Sequence, residues 1–221
     1  MKETIKEIIE QFEIKAAIFD LDGTMLDNNP YHLRAWKKYL EGKGRKISDE
    51  EYNANINGRT NKDVIRYLFG SGLNDEETLN YSLEKEAVYR ELYLADIKPV
   101  NGLIDLLKFF HDRKIPMAIA TSGIQVNIDF MFEHIPVRKY FQAVINSSHI
   151  RTGKPDPEIF LKAAKELGIP ANHCLVFEDS IVGVTAAHAA GMKVVALSTT
   201  QSGSELRNAD LTITDFASLL P

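Results

Sequence analysis

The 221-residue sequence predicts an α/β fold, a doubly wound parallel sheet with an all-α helical unit inserted after its first strand. Three observations predict it. From about residue 100 onward, helical and strand patterns alternate, as in a parallel sheet covered on both faces. Residues 28–97 carry several helical stretches and no convincing strand. A short apolar run, Lys15–Phe19, feeds directly into Asp20-Leu21-Asp22-Gly23-Thr24, as a buried strand delivering polar groups to its carboxyl edge does.

Taken in order, Met1–Phe12 reads as an amphipathic helix with Ile5, Ile8, Ile9 and Phe12 on one stripe. It is too charged for a secretion signal. The first strand follows at Lys15–Phe19. The inserted helices are expected at Pro30–Leu40, Asp49–Asn53, Lys62–Phe69 and Glu76–Leu94, bounded by the turn signals Asn28-Asn29-Pro30 and Lys98-Pro99. The predicted division is therefore a core of residues 1–27 and 98–221 and a helical cap of residues 28–97. Few ties between cap and sheet are legible, so the cap is expected to move as a unit, hinged near Asp27–Asn29 and Asp96–Pro99. The alternating part begins with a helix at Leu103–His111 and a strand at Pro116–Ala120. A helix at Gln125–Phe132 and a short strand at Ala143–Asn146 come next. Pro157–Leu167 (helix), Leu175–Phe177 (strand), Ile181–Ala190 (helix) and Lys193–Leu197 (strand) continue the pattern. Leu211–Thr214 reads as a last strand and Phe216–Leu220 as a last helical turn.

Composition narrows the function. A net charge of −5 gives no sign of nucleic-acid or membrane partners, and 44% hydrophobic residues suit an ordinary globular protein. Cys174 is the only cysteine, which excludes an intrachain disulfide and fits a reducing cytoplasm. It is expected to be a buried, inert thiol. No transmembrane run or long apolar heptad pattern is visible, and a monomer is the default expectation.

The chemistry is carried by the strand ends. Asp20 and Asp22 are spaced i, i+2, so on an extended segment they point to one side. They would stand at the carboxyl edge, where open α/β sheets bind ligands. Paired carboxylates repel unless a cation or a shared proton relieves them, and Mg²⁺ takes carboxylate oxygens. One aspartate is then suited to attack phosphorus and the other to shuttle a proton. Three further strand ends carry Thr121-Ser122-Gly123, Gly153-Lys154-Pro155-Asp156 and Glu178-Asp179-Ser180. Singly, each has an ordinary reading as helix cap, solvated lysine or dipole partner. Together they supply carboxylates, a hydroxyl and a lysine, the set that phosphoryl transfer needs.

The ordered motifs Phe19–Thr24 (FDLDGT), Ala118–Gly123 (AIATSG), Gly153–Phe160 (GKPDPEIF) and Phe177–Gly183 (FEDSIVG) resemble those of the haloacid dehalogenase-like (HAD) superfamily of phosphotransferases. The resemblance covers essentially the whole chain. It is strongest to the β-phosphoglucomutase-like branch, which inserts an α-helical cap into a Rossmann-like core; Leu26–Trp36 and Gly183–Met192 support that branch. The resemblance implies that Asp20 is the nucleophile that becomes an aspartyl-phosphate and that Asp22 is the general acid/base. It implies Mg²⁺ bound by Asp20, the Asp22 backbone carbonyl and Asp179, with Glu178 as a further ligand or outer acceptor. Thr121 and the Ser122 backbone would hold the phosphoryl oxygens, and Lys154 would balance their charge. Asp22 must be protonated as the leaving group departs, so its pKa must sit apart from that of Asp20.

His32 and Lys85 match cap positions that meet the acid/base and the substrate, although a satisfied cap histidine and a solvated lysine are the ordinary alternatives. The chain departs from the mutase pattern where a second phosphate would bind. Asn61 stands at the position of an arginine, with Arg59 two residues away, and Gly123, Ile124 and Gln125 replace Ser, Lys and Asn. A weakened second phosphate site favours hydrolysis. The implied activity is Mg²⁺-dependent hydrolysis of a small phosphorylated metabolite, with a sugar phosphate as the substrate class. A sugar phosphomutase, an inorganic pyrophosphatase and a catalytically silent ligand-binding fold are the alternatives.

Overall fold

Six short strands form one all-parallel sheet in the order β3-β2-β1-β4-β5-β6. The computed structural model describes residues 4–220; Met1–Glu3 of the expected amino-terminal helix lie outside the described residues. The strands are β1 (Ala16–Phe19), β2 (Met117–Ala120), β3 (Ala143–Ile145), β4 (Cys174–Glu178), β5 (Lys193–Leu197) and β6 (Leu211–Ile213). Strand β1 is central, and the chain order reverses between it and β4. That reversal opens the crevice in which doubly wound sheets bind ligands.

Every residue of β1, β2 and β4 is buried. Alternation along each strand sends its side chains to two different layers. Ala17, Phe19, Leu175 and Phe177 enter one core cluster with α1 (Ile5–Gln11) and α6 (Leu103–Asp112). Ala16, Ile18, Cys174 and Val176 enter the other, under α8 (Glu158–Leu167) and α9 (Ile181–Ala189). Phe19 and Phe177 stack at 4.7 Å between ring centroids, with Phe110, Phe141 and Phe216 around them. The stack joins the two strands immediately beneath Asp20 and Glu178. In the register, Phe19 lies level with Ile119 on one side and Phe177 on the other. The residues that follow β1 and β4 are thereby delivered to one edge. Cys174 is fully buried, and burial pushes its thiol up to about 11.

Between β1 and α6 the chain forms α2 (Asn29–Glu41), α3 (Asp49–Asn55), α4 (Asn61–Phe69) and α5 (Asp75–Tyr93), with no strand among the described residues of that segment. Side-chain caps set the starts of three of them. Ser48 accepts from the Glu51 N–H and Thr60 from the Asp63 N–H, while Asn74 and Glu77 close a capping box. Trp36, Tyr39, Leu40, Tyr52, Ile65 and Leu68 belong to an apolar cluster of the insert's own. Tyr89 and Tyr93 belong instead to the main core cluster.

The insert is better tied to the sheet than its sequence suggests. The Ser122 hydroxyl donates to the Gly58 carbonyl at 3.1 Å, and Arg90 donates to Asn127 of α7 (Gln125–His134) at 2.9 Å. The two chain crossings run side by side, with the Val100 N–H donating to the Met25 carbonyl at 2.9 Å. Single polar groups and backbone atoms make these ties, and nothing in the sequence pairs them. Among the described residues no helix is long and apolar enough to cross a membrane.

Candidate active site

Three buried carboxylates meet at the crevice between β1 and β4. Asp20, Glu178 and Asp179 each bring an oxygen within 4.8 Å of the others. One buried ammonium faces them: Lys154 Nζ donates to Asp20 Oδ1 at 2.6 Å and to Glu178 Oε1 at 2.5 Å. Burial pushes Asp20 up to about 8, with repulsion from Glu178 and Asp22 adding to it and Lys154 opposing it. Burial, then Glu178 and Asp20, also push Asp179 well above the carboxylate range. For Lys154, burial acts to lower the pKa, but Asp20 and Glu178 override it and the net shift is upward. An excess of buried negative charge, presented on hard oxygen donors, fits a divalent cation.

Local structure holds each carboxylate in place. Glu178 Oε2 accepts from the backbone N–H groups of Asp179 and Ser180, both at 2.7 Å, and from the Ser180 hydroxyl at 2.9 Å. The Glu178 carboxyl group then lies against Gly183 in the first turn of α9. A Cβ on Gly183 would stand 1.9 Å from the carboxyl carbon, so only glycine fits. Asp179 accepts from the Thr24 hydroxyl at 3.1 Å and from Asn29 Nδ2 at 2.9 Å. Gly23 has φ of +80°, and a Cβ there would stand 2.1 Å from Asp179 Oδ2.

Asp22 has different company. Its Oδ1 accepts from Asn28 Nδ2 at 2.6 Å and lies 3.3 Å from His32 Nε2. Lys85 Nζ is 2.8 Å from His32 Nδ1 and donates to Glu86 Oε1 at 2.8 Å. An ammonium only donates, so Nδ1 is the acceptor and the imidazole proton sits on Nε2, on the Asp22 side. Nε2 is buried and makes no well-aligned hydrogen bond, which leaves its proton aimed at Asp22 without a better partner. The His32 ring stacks on Tyr89 at 3.8 Å with planes 8° apart. Burial acts to raise Asp22, but His32 and Asn28 outweigh it and hold the carboxyl below its ordinary value. The two aspartates are therefore separated in acidity in the order opposite to the one acid catalysis requires. Asp20 bears the crowding, and Asp22 has the compensating donors. Lys85 is 1% exposed, so the solvated reading of that residue does not hold.

Thr121 is buried just past the end of β2, and its Oγ1 accepts from the Gly123 N–H at 2.9 Å. That bond leaves the hydroxyl hydrogen free to donate. The Ser122 side chain is committed to Gly58, so only its backbone remains for a ligand. All ten residues singled out from the sequence line one cavity of about 60 Å³, Arg59 from the insert side. Sequence reasoning missed Asn28, Asn29 and Thr24, which hold the two acidic centres, and Glu86, which anchors Lys85. Asn28 and Asn29 read only as a boundary turn, and a lone glutamate on a helix carries no signal.

The doubly wound sheet carries three buried carboxylates and a lysine at its switch point, under a helical insert. The chain belongs to the haloacid dehalogenase-like hydrolase family, whose profile matches residues 17–197. It is 33% identical over 178 residues to the fructose-1-phosphate phosphatase YqaB of Escherichia coli (strain K12), covering 80% of this chain and 93% of that protein. Among solved structures it resembles a HAD hydrolase, family IA, variant 3, from Entamoeba histolytica. That likeness has a TM-score of 0.82 and 32% identity over 92% of this chain and 94% of the other. A β-phosphoglucomutase from Clostridium difficile superposes with a TM-score of 0.80 at 26% identity, over 93% of each chain.

The Gly183–Glu178 contact is directly testable. Gly183→Ala forces a methyl group into the carboxyl and is expected to cost about 1–3 kcal/mol, the usual price of overpacking. Urea unfolding measures it, and an unchanged midpoint would mean that Glu178 is not held against α9.

Proposed function

We propose that this enzyme is a Mg²⁺-dependent phosphatase that hydrolyses a small phosphorylated metabolite, of the sugar phosphate class, through an aspartyl-phosphate on Asp20. The observation that carries the reading is the division of labour between two neighbouring carboxylates. Asp20 sits with Lys154 in the acidic cluster, and Asp22 sits apart with His32 and Asn28. The fructose-1-phosphate phosphatase relative supports the substrate class. The single, buried cysteine suits the proposed cytoplasmic location, and a monomer suffices for the chemistry.

In this mechanism a carboxylate oxygen of Asp20 attacks phosphorus and the bond to the leaving oxygen breaks. Asp22 gives that oxygen its proton. A water then attacks phosphorus, Asp22 takes the proton from it, and the acyl-phosphate bond opens to regenerate Asp20 and free phosphate. Asp20, Asp179, Glu178 and the Asp22 backbone carbonyl are the groups that would hold Mg²⁺. The bound ion supplies positive charge that keeps Asp20 ionised and offsets the charge of the phosphoryl group. Lys154 adds a second positive charge, and Thr121 donates to a phosphoryl oxygen beside the Ser122 backbone. The incoming phosphoryl group is a negative neighbour for Asp22, which raises its pKa toward the protonated state that donation requires.

Residues 28–97 act as a cap in this reading. A cavity of about 60 Å³ has room for a phosphoryl group and little more, against roughly 300–1,000 Å³ for ordinary small-molecule pockets. The cap must swing away to admit the rest of the substrate, with His32, Arg59 and Lys85 meeting it on return.

The mutase reading has the Clostridium difficile likeness in its favour. Against it stands Asn61, whose Nδ2 donates to Ser82 and to Glu86 Oε1, both at 2.8 Å. A carboxylate only accepts, so the amide nitrogen must face Glu86, and neither of its hydrogens remains for a second phosphate. A phosphate-release screen over sugar phosphates, nucleotides and pyrophosphate tests the proposal. Sugar monophosphates are expected to lead. β-Glucose 1-phosphate with a trace of glucose 1,6-bisphosphate is expected to give free phosphate, and rapid formation of glucose 6-phosphate would establish the mutase instead.

The acidic cluster makes stability depend on pH and metal together. Without a cation, folded Asp20 keeps its proton up to about 8, while the unfolded chain loses it near 3.8. The folded state then binds more protons, so stability present at low pH is lost as pH rises through that window. Mg²⁺ competes with the proton and stabilises only what it binds. Its effect on the melting temperature is therefore expected to be larger near pH 8 than near pH 5. An equal or larger shift near pH 5 would contradict the assignment of Asp20 to the metal site.

A further inference from the structure

One set of buried polar groups lies outside the chemistry above. Glu86, on α5 of the insert, is 2% exposed. Its Oε1 accepts from Lys85 Nζ and from Asn61 Nδ2, and its Oε2 accepts from Asn127 Nδ2, each at 2.8 Å. Asn127 belongs to α7 on the sheet side, is itself buried, and accepts at Oδ1 from Arg90 Nη1 at 2.9 Å. Every direction in this chain is forced. A guanidinium and an ammonium only donate and a carboxylate only accepts, so the Asn127 amide has one orientation. The line of contacts runs from Asn127 to Glu86, on to Lys85, to His32 Nδ1 and through the imidazole to Asp22.

Two features make this more than a buried ion pair. Burial acts against ionisation of Glu86, yet the Lys85 ammonium, helped by the hydrogen bond from Asn127, outweighs it and holds the carboxyl below its ordinary value. A buried carboxylate survives only while its partners stay in place. One of its three donors comes from the sheet side and the other two from the insert. The bond to Asn127 exists only while α5 is seated on α7.

We infer that Glu86 and Asn127 are positioning residues for the acid/base step: they fix Lys85, and through it His32, against Asp22, and they do so only with the insert docked. The inference rests on Asp22 serving as the general acid of the proposed phosphatase.

The test is single-turnover phosphorylation of the Mg²⁺-loaded full chain with two monoesters. An alkyl phosphate needs its leaving oxygen protonated, and p-nitrophenyl phosphate does not. Glu86→Gln keeps the shape but turns a donor toward Lys85 or toward Asn127. Asn127→Ala removes the sheet-side donor. Arg90→Gln, at a half-buried position, loosens Asn127 without threatening the fold. The first two are expected to slow the alkyl ester by about ten- to a hundredfold, within the range for a misplaced acid. The third should slow it by less, and nitrophenyl phosphate should lose no more than about threefold, in the usual scatter of such substitutions. In an Asp22→Asn background, Asn127→Ala should cost little more, because the two act through one group. Equal losses on both esters in folded variants, or full additivity with Asp22→Asn, would overturn the positioning role. If Glu86→Gln and Asn127→Ala do not fold, Arg90→Gln decides by the same comparison of esters. Absence of wild-type turnover on either ester would strike the phosphatase reading, and the positioning role with it.

Discussion

The bridge from Lys154 to Asp20 and Glu178 is the contact on which the rest of the site depends. Three carboxylates buried at one sheet edge are stable only if positive charge is close. Lys154 supplies part of it from the loop that precedes α8, and its two short hydrogen bonds fix the Asp20 and Glu178 oxygens relative to each other. Glu178 can reach Lys154 because Gly183 leaves room for its carboxyl group over the first turn of α9. Asp179 can approach because Gly23 bends the chain after β1 and carries no side chain. Below them the Phe19–Phe177 stack locks β1 to β4, so the charges rest on a rigid floor. Packing, backbone geometry and electrostatics all converge on one position for Asp20.

A second carboxylate two residues away faces a different environment, and the difference comes from the insert. Asn28 and His32 stand at the start of the insert and take Asp22 away from the acidic cluster. Lys85, Glu86 and Tyr89 come from α5 and hold the imidazole between them. In the proposed mechanism the sheet edge supplies the nucleophile and the metal ligands, and the helices of the insert surround the acid/base Asp22. An enzyme made this way can change substrate by altering the insert while the chemistry at the sheet edge stays fixed.

Much of this was legible in the sequence for a physical reason. Buried parallel strands are short apolar runs, and polar residues just beyond them fall at the ligand-binding edge. Asp20, Thr121, Lys154 and Glu178-Asp179 could therefore be picked out by position, and the absence of strand pattern between residues 28 and 97 marked the insert. What stayed hidden is what depends on contacts across the fold. Asn28 and Asn29 have the chemistry of turn residues, and nothing local distinguishes a turn from a clamp on two aspartates. Lys85 and Glu86 fall in a helix rich in charge, where solvent exposure is the ordinary reading; only the packing of α2, α5 and α7 buries them. The order of acidity of Asp20 and Asp22 was likewise beyond reach, because it follows from which donors each carboxyl meets in space.

Whether Asp20 forms the covalent bond to phosphorus can be measured directly, without reference to substrate identity. Acid quenching of the enzyme during turnover, reduction of the acyl-phosphate with borohydride and peptide mapping by mass spectrometry locate the modified carboxyl. Reduction is expected at Asp20 alone, dependent on Mg²⁺ and on a phosphoryl donor. Modification at another residue, or steady turnover with no trapped acyl-phosphate at Asp20, would contradict it.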